Sequence, residues 1–366
     1  MPPLEFKRVL FINPFGIGDV LFTTPLIRAL KKQYPDCFVG YWCNERVKGI
    51  LENNRHIDKI FALSKGDIKK AYKLFWPGGL GKTLNLLKRI RREHFDIAFD
   101  LSLDSYYGLM SALSGIRERV GYDYKKRGRF LTKKLPLSGY SGKHVIEYGA
   151  ELLGSLGIPV VDKNMELMLC ADDESKAEMI LFSSGILPGD LLIGIAPGAG
   201  ASWGKDASYK QWPALKFAEV ADRLISEYGA KVVLLGDDTD LKLSEEISNA
   251  CKNKPINLVG KTTLPVLAGI LKRLKLFVSN DGGPMHMAVA LGINTVSIFG
   301  PVDDKVYGPY PPDKRNLVVK ATVECRPCYS NFVYPSCVRN RDCLTSIRTE
   351  EVFKNIKQIL NLGDSQ

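Results

Sequence analysis

Residues 9–25, "VLFINPFGIGDVLFTTP", decide how the first half of the chain is read. The apolar run Val9-Leu10-Phe11-Ile12 has the length and character of a buried strand. It enters a turn with Gly16 and Gly18, after which a helix opens. Strand, glycine turn and helix in this order begin a doubly wound α/β sheet. Such turns usually offer backbone N–H groups and a helix N-terminus to a phosphate. Here, however, Asp19 follows Gly18, and position 21 holds Leu21 where a dinucleotide fingerprint has its third glycine. A carboxylate at this point repels a phosphate. The turn keeps the architecture of a nucleotide site and must serve another purpose.

Outward from this stretch, strands are expected at 9–12, 38–42, 58–62, 96–101 and 119–122, with helices at 19–33, 45–52, 82–93, 105–114 and 143–156. Alternation of this kind implies a parallel sheet covered on both faces. The pattern breaks near Asp162–Ala171, and "ADDESKAEMILFSSGI" reads as a helix opening a second unit. That unit repeats the plan. "LIGIAPGAG" (192–200) is again a first strand entering a Pro-Gly turn, and Gly229 caps the helix that follows. Strands and helices then alternate through "NTVSIFG" (294–300). The expectation is two Rossmann-like domains, 1–168 and 169–366. Their ligands should lie at the carboxyl ends of the strands, in a cleft between the domains.

With 366 residues the chain has the length for about two domains. No apolar run approaches the roughly 18 residues of a membrane span, and no signal-peptide pattern stands at the N-terminus, so a cytoplasmic location is expected. The formal net charge of +11 is concentrated: residues 1–170 hold 28 Lys and Arg against 17 Asp and Glu, and the rest hold 23 of each. The first half therefore suits an anionic partner. Segment 69–95 interleaves Phe75, Trp76, Leu80, Leu84, Leu86 and Leu87 with lysines and arginines, as interfacial segments do. That favours an anionic glycolipid or peripheral contact with an anionic membrane surface. No nucleic-acid-binding motif is present.

Three stretches of the second half carry candidate chemistry. "APGAGASWGKDASYKQWP" is a glycine turn without an acid, suited to a diphosphate, with Lys210 or Lys205 adding charge. In "LLGDDTDLKLSEE" an acid past a strand can accept from ribose hydroxyls, and Asp240 is the candidate. Simple N-capping explains such an acid equally well, and Asp238-Thr239-Asp240 also spells a D-x-D metal motif. The densest stretch is "VSNDGGPMHMAVALG". Asp281 ends a strand, Gly282 and Gly283 permit close backbone approach, Pro284 starts a helix and His286 lies one turn in. His56, His94 and His144 lack ligand spacing and read as surface or satisfied core residues. Cys325, Cys328, Cys337 and Cys343 leave structural zinc, reduced thiols and disulfides all open.

Together "GIGDVLFTTPLIRALKKQYP", "KQWP", "LLGDDTD" and "SNDGGPMHMAVALGINTVSIFGP" resemble the bacterial heptosyltransferases, glycosyltransferase family 9, over nearly the whole chain and in order. The resemblance implies a GT-B fold and a nucleotide-sugar donor, usually ADP-heptose, held by the second domain. It implies a lipopolysaccharide inner-core acceptor. It makes Asp19 the general base, places Lys210 on the diphosphate and Asp240 at the ribose, and sets Asp281, Gly282, Gly283 and His286 on the donor side. Transfer would invert the anomeric centre and need no metal or other cofactor. Two departures stand out. The loop from Gly198 to Lys210 is long, which lets Lys205 share the diphosphate, and Gly282 stands where Thr or Ser is common. The rival readings are a nucleotide-sugar epimerase of similar architecture, a non-catalytic sugar-nucleotide or lipid binder, a dinucleotide oxidoreductase, and a family member using a different sugar.

Overall fold

The computed structural model describes residues 6–64, 66 and 77–363. The chain divides into two compact units, Met1–Met168 and Leu169–Gln366.

The first unit is a six-stranded parallel sheet of β1 (Arg8–Asn13), β2 (Phe38–Cys43), β3 (Lys59–Ala62), β4 (Ile97–Asp100), β5 (Glu118–Tyr124) and β6 (Lys133–Leu137), in the order β3-β2-β1-β4-β5-β6. Val9, Leu10, Phe11 and Ile12 are fully buried, because helices cover both faces of the central strand. In register, Val9 lies beside Val39 on one side and Ile97 on the other. The helix expected over 19–33 is in fact two, α1 (Ile17–Leu21) and α2 (Thr24–Gln33). The break has a local cause. Pro25 lacks the N–H to continue a helix and favours a first turn, so α2 starts afresh there. The hydroxyls of Thr23 and Thr24 donate back to Val20 and Leu21 carbonyls, satisfying the exit of α1. The stretch expected as a helix at 45–52 is 3₁₀ over Glu45–Ile50, capped by the Asn44 side chain. α3 (Pro77–Arg92), α4 (Ser105–Leu113) and α5 (Val145–Gly154) complete the unit.

The second unit opens with α6 (Ala171–Ser183), whose first turn carries Asp172, Asp173 and Glu174, favourable at the positive end of the helix dipole. Its parallel sheet comprises β7 (Leu192–Ala196), β8 (Lys231–Leu234), β9 (Ile256–Asn257), β10 (Leu276–Asn280), β11 (Thr295–Phe299) and β12 (Asn316–Lys320), in the order β12-β11-β10-β7-β8-β9. Between them run α7 (Ala214–Tyr228), α8 (Leu241–Ala250), α9 (Leu264–Lys272), α10 (Gly283–Ala290) and α11 (Asp304–Tyr307). α7 ends as expected at Gly229, in the left-handed conformation at φ 61°, where its N–H reaches the Leu224 and Ile225 carbonyls. After α12 (Asp342–Thr345), the chain closes on α13 (Thr349–Gly363). Val352, Phe353, Ile356, Ile359 and Leu360 of α13 recur at helical spacing and join the core against α7, β11 and β12.

Counted within its own unit, the second sheet has the strand order of the first. In each sheet the order of addition of strands reverses between the first and fourth strands, at β1/β4 and at β7/β10. In open α/β sheets these switch points are where strand ends splay apart and a ligand crevice forms.

Candidate active site

At the β7/β10 switch point, Asn280 fastens the two strand ends together. Its side-chain amide donates to the Pro197 carbonyl at 2.5 Å and accepts the Trp212 N–H at 3.0 Å. This holds the 197–210 loop against the end of β10. The loop turns at Gly200, with φ 83°, and continues as a 3₁₀ segment to Lys210. Lys210 Nζ lies 2.6 Å from an Asp281 carboxylate oxygen, and both side chains are almost wholly buried. A pair so deeply desolvated is retained only where the surroundings hold both charges in place. Gly282 precedes α10 in an extended conformation, Pro284 occupies its first turn, and His286 is buried one turn in. A side-chain carbon placed on Gly282 would meet nothing closer than 3.8 Å, so the position has room that a threonine or serine would fill.

Asp240 is buried beneath the same loop. A Cβ on Gly198 would fall 2.2 Å from its carboxylate, and one on Gly236 2.7 Å, so these glycines exist to let the acid in. Asp237 and Asp240 form a reciprocal cap at the start of the 238–240 turn, the Asp237 N–H donating to Asp240 at 3.3 Å. Burial, with the Asp237 charge adding to it, pushes the Asp240 pKa up to about 6. Capping and contact with the glycine turn therefore coincide in one residue. Asp238 is exposed while Asp240 is buried, so the D-x-D does not present two ligands together. Among the described residues no cluster of His, Cys, Asp and Glu is arranged to hold a metal ion, and Cys325, Cys328, Cys337 and Cys343 are free thiols. The Lys205 side chain lies outside the described residues.

The β1/β4 switch point is built differently. Asp19 sits in the first turn of α1 and accepts the Gly16 N–H at 3.1 Å, while Asn13 holds the Asp19 carbonyl at 2.9 Å. The turn's leading N–H is thus used by its own carboxylate. The Asp19 charge adds to burial in raising the Tyr41 and Tyr140 phenols far above their usual range. At the end of β4, sequence reading missed Asp100. It is buried and accepts from the Ser102 N–H at 2.9 Å, and burial lifts its pKa to about 6. A small recess beside it, with room for about one water, is lined by Asp104, Tyr122, Arg127, Phe130 and Leu131. The signal was available, since "IAFD" ends a strand in an acid just as "VSND" does.

The histidines take quiet roles. His144 caps α5 through Nδ1, His94 is exposed, and burial lowers the His56 pKa beside Glu166. Of the interfacial segment, Phe75 and Trp76 and the Leu80 side chain lie outside the described residues. Along α3, Leu86 and Ile90 face the core and Lys88, Arg89, Arg91 and Arg92 face water.

The model of glycosyltransferase family 9 (heptosyltransferase) matches residues 83–333, which contain the Lys210–Asp281 pair and the Gly198–Gly200 turn. The chain belongs to this family. It is 31% identical to lipooligosaccharide heptosyltransferase 2 of Campylobacter jejuni, the match covering 96% of this chain and 98% of that one. Among solved structures, a glycosyl transferase family 9 protein from Veillonella parvula superposes with a TM-score of 0.83 at 25% identity, covering 98% of both chains. The E. coli ADP-heptose lps heptosyltransferase II gives 0.76 at 21% identity over 98% of this chain and 100% of that one. The fold is accordingly GT-B and the protein is a glycosyltransferase. Family membership decides for group transfer over epimerisation, oxidoreduction and mere binding.

Proposed function

We propose that this family 9 enzyme moves a heptose from ADP-heptose to an inner-core lipopolysaccharide acceptor, inverting the anomeric configuration without a metal. The observation that carries the donor reading is the buried Lys210–Asp281 pair, fixed by Asn280 at a switch point and flanked by the Gly198–Gly200 turn. A lysine with its charge desolvated is a strong partner for a diphosphate. Asp281, Gly282, Gly283 and His286 border the sugar in this reading, and Asp240 meets the ribose. Lys205 is a second candidate for the diphosphate.

Asp19 is the general base. Its carboxylate takes the proton of an acceptor hydroxyl, and that oxygen attacks the anomeric carbon on the face opposite the diphosphate. The carbon–oxygen bond to the diphosphate breaks, and ADP departs with the electron pair. A single displacement of this kind inverts the centre through an oxocarbenium-like transition state. Lys210 and the N–H groups of the turn and of α10 meet the charge growing on the leaving group. The basic first unit, with Lys88, Arg89, Arg91 and Arg92 on the outer face of α3, draws in an anionic glycolipid at the cytoplasmic face of a membrane. No helix among the described residues is long and apolar enough to cross one.

The deciding experiment incubates the protein with ADP-heptose and a truncated lipopolysaccharide acceptor and follows ADP release together with mass gain of the glycolipid. Release without mass gain, or neither, rejects the reading.

A further inference from the structure

The cysteine-rich segment 323–343 carries, besides its thiols, a tyrosine set against the donor-side loop. Cys328 and Tyr329 donate their N–H groups to the Pro301 carbonyl at 3.0 and 3.1 Å, just past the end of β11. Arg326 donates to the Gly300 carbonyl and pairs with Asp304 at 2.8 Å. At the far end, Arg341 donates to the Ser208 carbonyl at 2.8 Å, two residues before Lys210. The segment is therefore tied both to the sheet and to the loop that carries the lysine.

Between these ties Ser330 and Val333 pair across a tight reversal, with Asn331 and Phe332 both at positive φ, 50° and 63°. That is the turn sense asparagine tolerates and a bulky phenylalanine resists. The reversal turns the chain inward for one residue. From 331 to 340 every side chain is exposed except Tyr334, which is half-buried. Its ring lies 4.7 Å from Tyr329 and 5.8 Å from Tyr209, the residue next to Lys210. Of the charges around it, Asp281 acts on the phenol most strongly and, after burial, raises its pKa far above the usual value. The hydroxyl therefore stays protonated throughout the neutral range. Strain kept in a backbone to deliver one aromatic to a buried ion pair is the pattern of a ligand contact.

We infer that Tyr334 is a binding residue of the donor site, its hydroxyl donating to a diphosphate oxygen beside the Lys210–Asp281 pair. This rests on the donor reading above and adds a contact from a segment which that reading leaves unused. Tyr209 and Tyr329 both pack on the ring, so the hydroxyl's place is set by packing.

The test uses the full chain and ADP as probe, measured by calorimetry, with transfer kinetics alongside. Tyr334→Phe keeps the ring and its packing and removes only the hydroxyl. It is expected to weaken ADP binding about tenfold and raise the donor KM similarly, the scale of one hydrogen bond to a charged group. The acceptor KM and the melting temperature should stay as in the parent. Val338→Ala, on the same segment but almost fully exposed, should change nothing. If Tyr334→Phe binds ADP like the parent, the tyrosine only packs and the inference is wrong while the donor reading stands. If the parent itself neither binds ADP nor transfers heptose, the donor reading fails first and takes this contact with it.

Discussion

The two glycine turns occupy equivalent places in two sheets of identical strand order, and their chemistry is opposite. In the first, the carboxylate comes from the turn itself, three residues on, where Gly16 donates to Asp19. In the second, the charged groups arrive from distant parts of the chain, with Lys210 from the loop's end and Asp281 from the next-but-two strand, and they pair with each other. The same backbone plan thus offers an acid on one unit and a carboxylate-paired cation on the other. In the transfer proposed above, the acid would accept a proton and the cation would receive the leaving diphosphate.

The comparison breaks most visibly at the ion pair. Lys210→Met leaves Asp281 buried and unpaired, and is expected to cost about 3–5 kcal/mol of stability. Thermal melts of the variant check this, and a shift of less than a degree or two would mean that the pair is not desolvated in solution. Next comes Asp240. Its carboxyl titrates near 6 in the folded protein against a reference of 3.8. The folded state therefore binds its proton more tightly, and this group's contribution to stability falls as pH rises from about 4 to about 6. Asp240→Asn removes that dependence. The variant should gain on the parent across this window, by about 3 kcal/mol at most once above it. If donor KM rises at the same time, the acid also serves the ribose, while stabilisation without a change in KM leaves it a cap. For Asp19→Asn the expected loss is about 10²-fold in turnover with donor affinity nearly intact, because asparagine can still accept from Gly16. An equal fall in both would make Asp19 part of the turn and nothing more.

The smallest effects belong to long-range charge. Neutralising Lys88, Arg89, Arg91 and Arg92 together should raise acceptor KM severalfold and weaken vesicle binding, leaving donor KM alone. Because exposed charges are screened over about 8 Å at physiological salt, the parent's acceptor KM should also climb with ionic strength. A quadruple variant with parental acceptor use would reduce α3 to a solvated face.

The two sheets were legible because Val9–Ile12 and Leu192–Ala196 are runs that only strands buried on both faces require. β6 was not legible, since Lys133, Lys134 and Pro136 suit an edge and mimic a loop. β12 and α13 went unread because the cysteine-rich segment between them dominated that region. At the site, the residues stood out by type and position next to glycines. Their pairing did not, because the contact of Lys210 with Asp281 and the seating of Asp240 under Gly198 depend on long-range folding. Asp100 and Tyr334 show two further ways to miss a residue: one obeys the rule applied to Asp281 yet lacks glycines beside it, and the other lies among exposed residues with no periodic pattern.

The closing helix also has a consequence for how the chain fails. β12 is an outer strand whose backbone on one side has no neighbour among the described residues, and its Val318-Val319 step is well suited to recruit another strand. α13 lies across β11 and β12 and fills the groove with Phe353 and Ile356. Remove the last turn or two of packing by truncation or heat, and the apolar face of that edge is bared together with its open hydrogen-bonding row. Aggregation would then begin at β12, well away from either glycine turn, and the yield of soluble protein would depend on the C-terminal helix more than on any residue of the site.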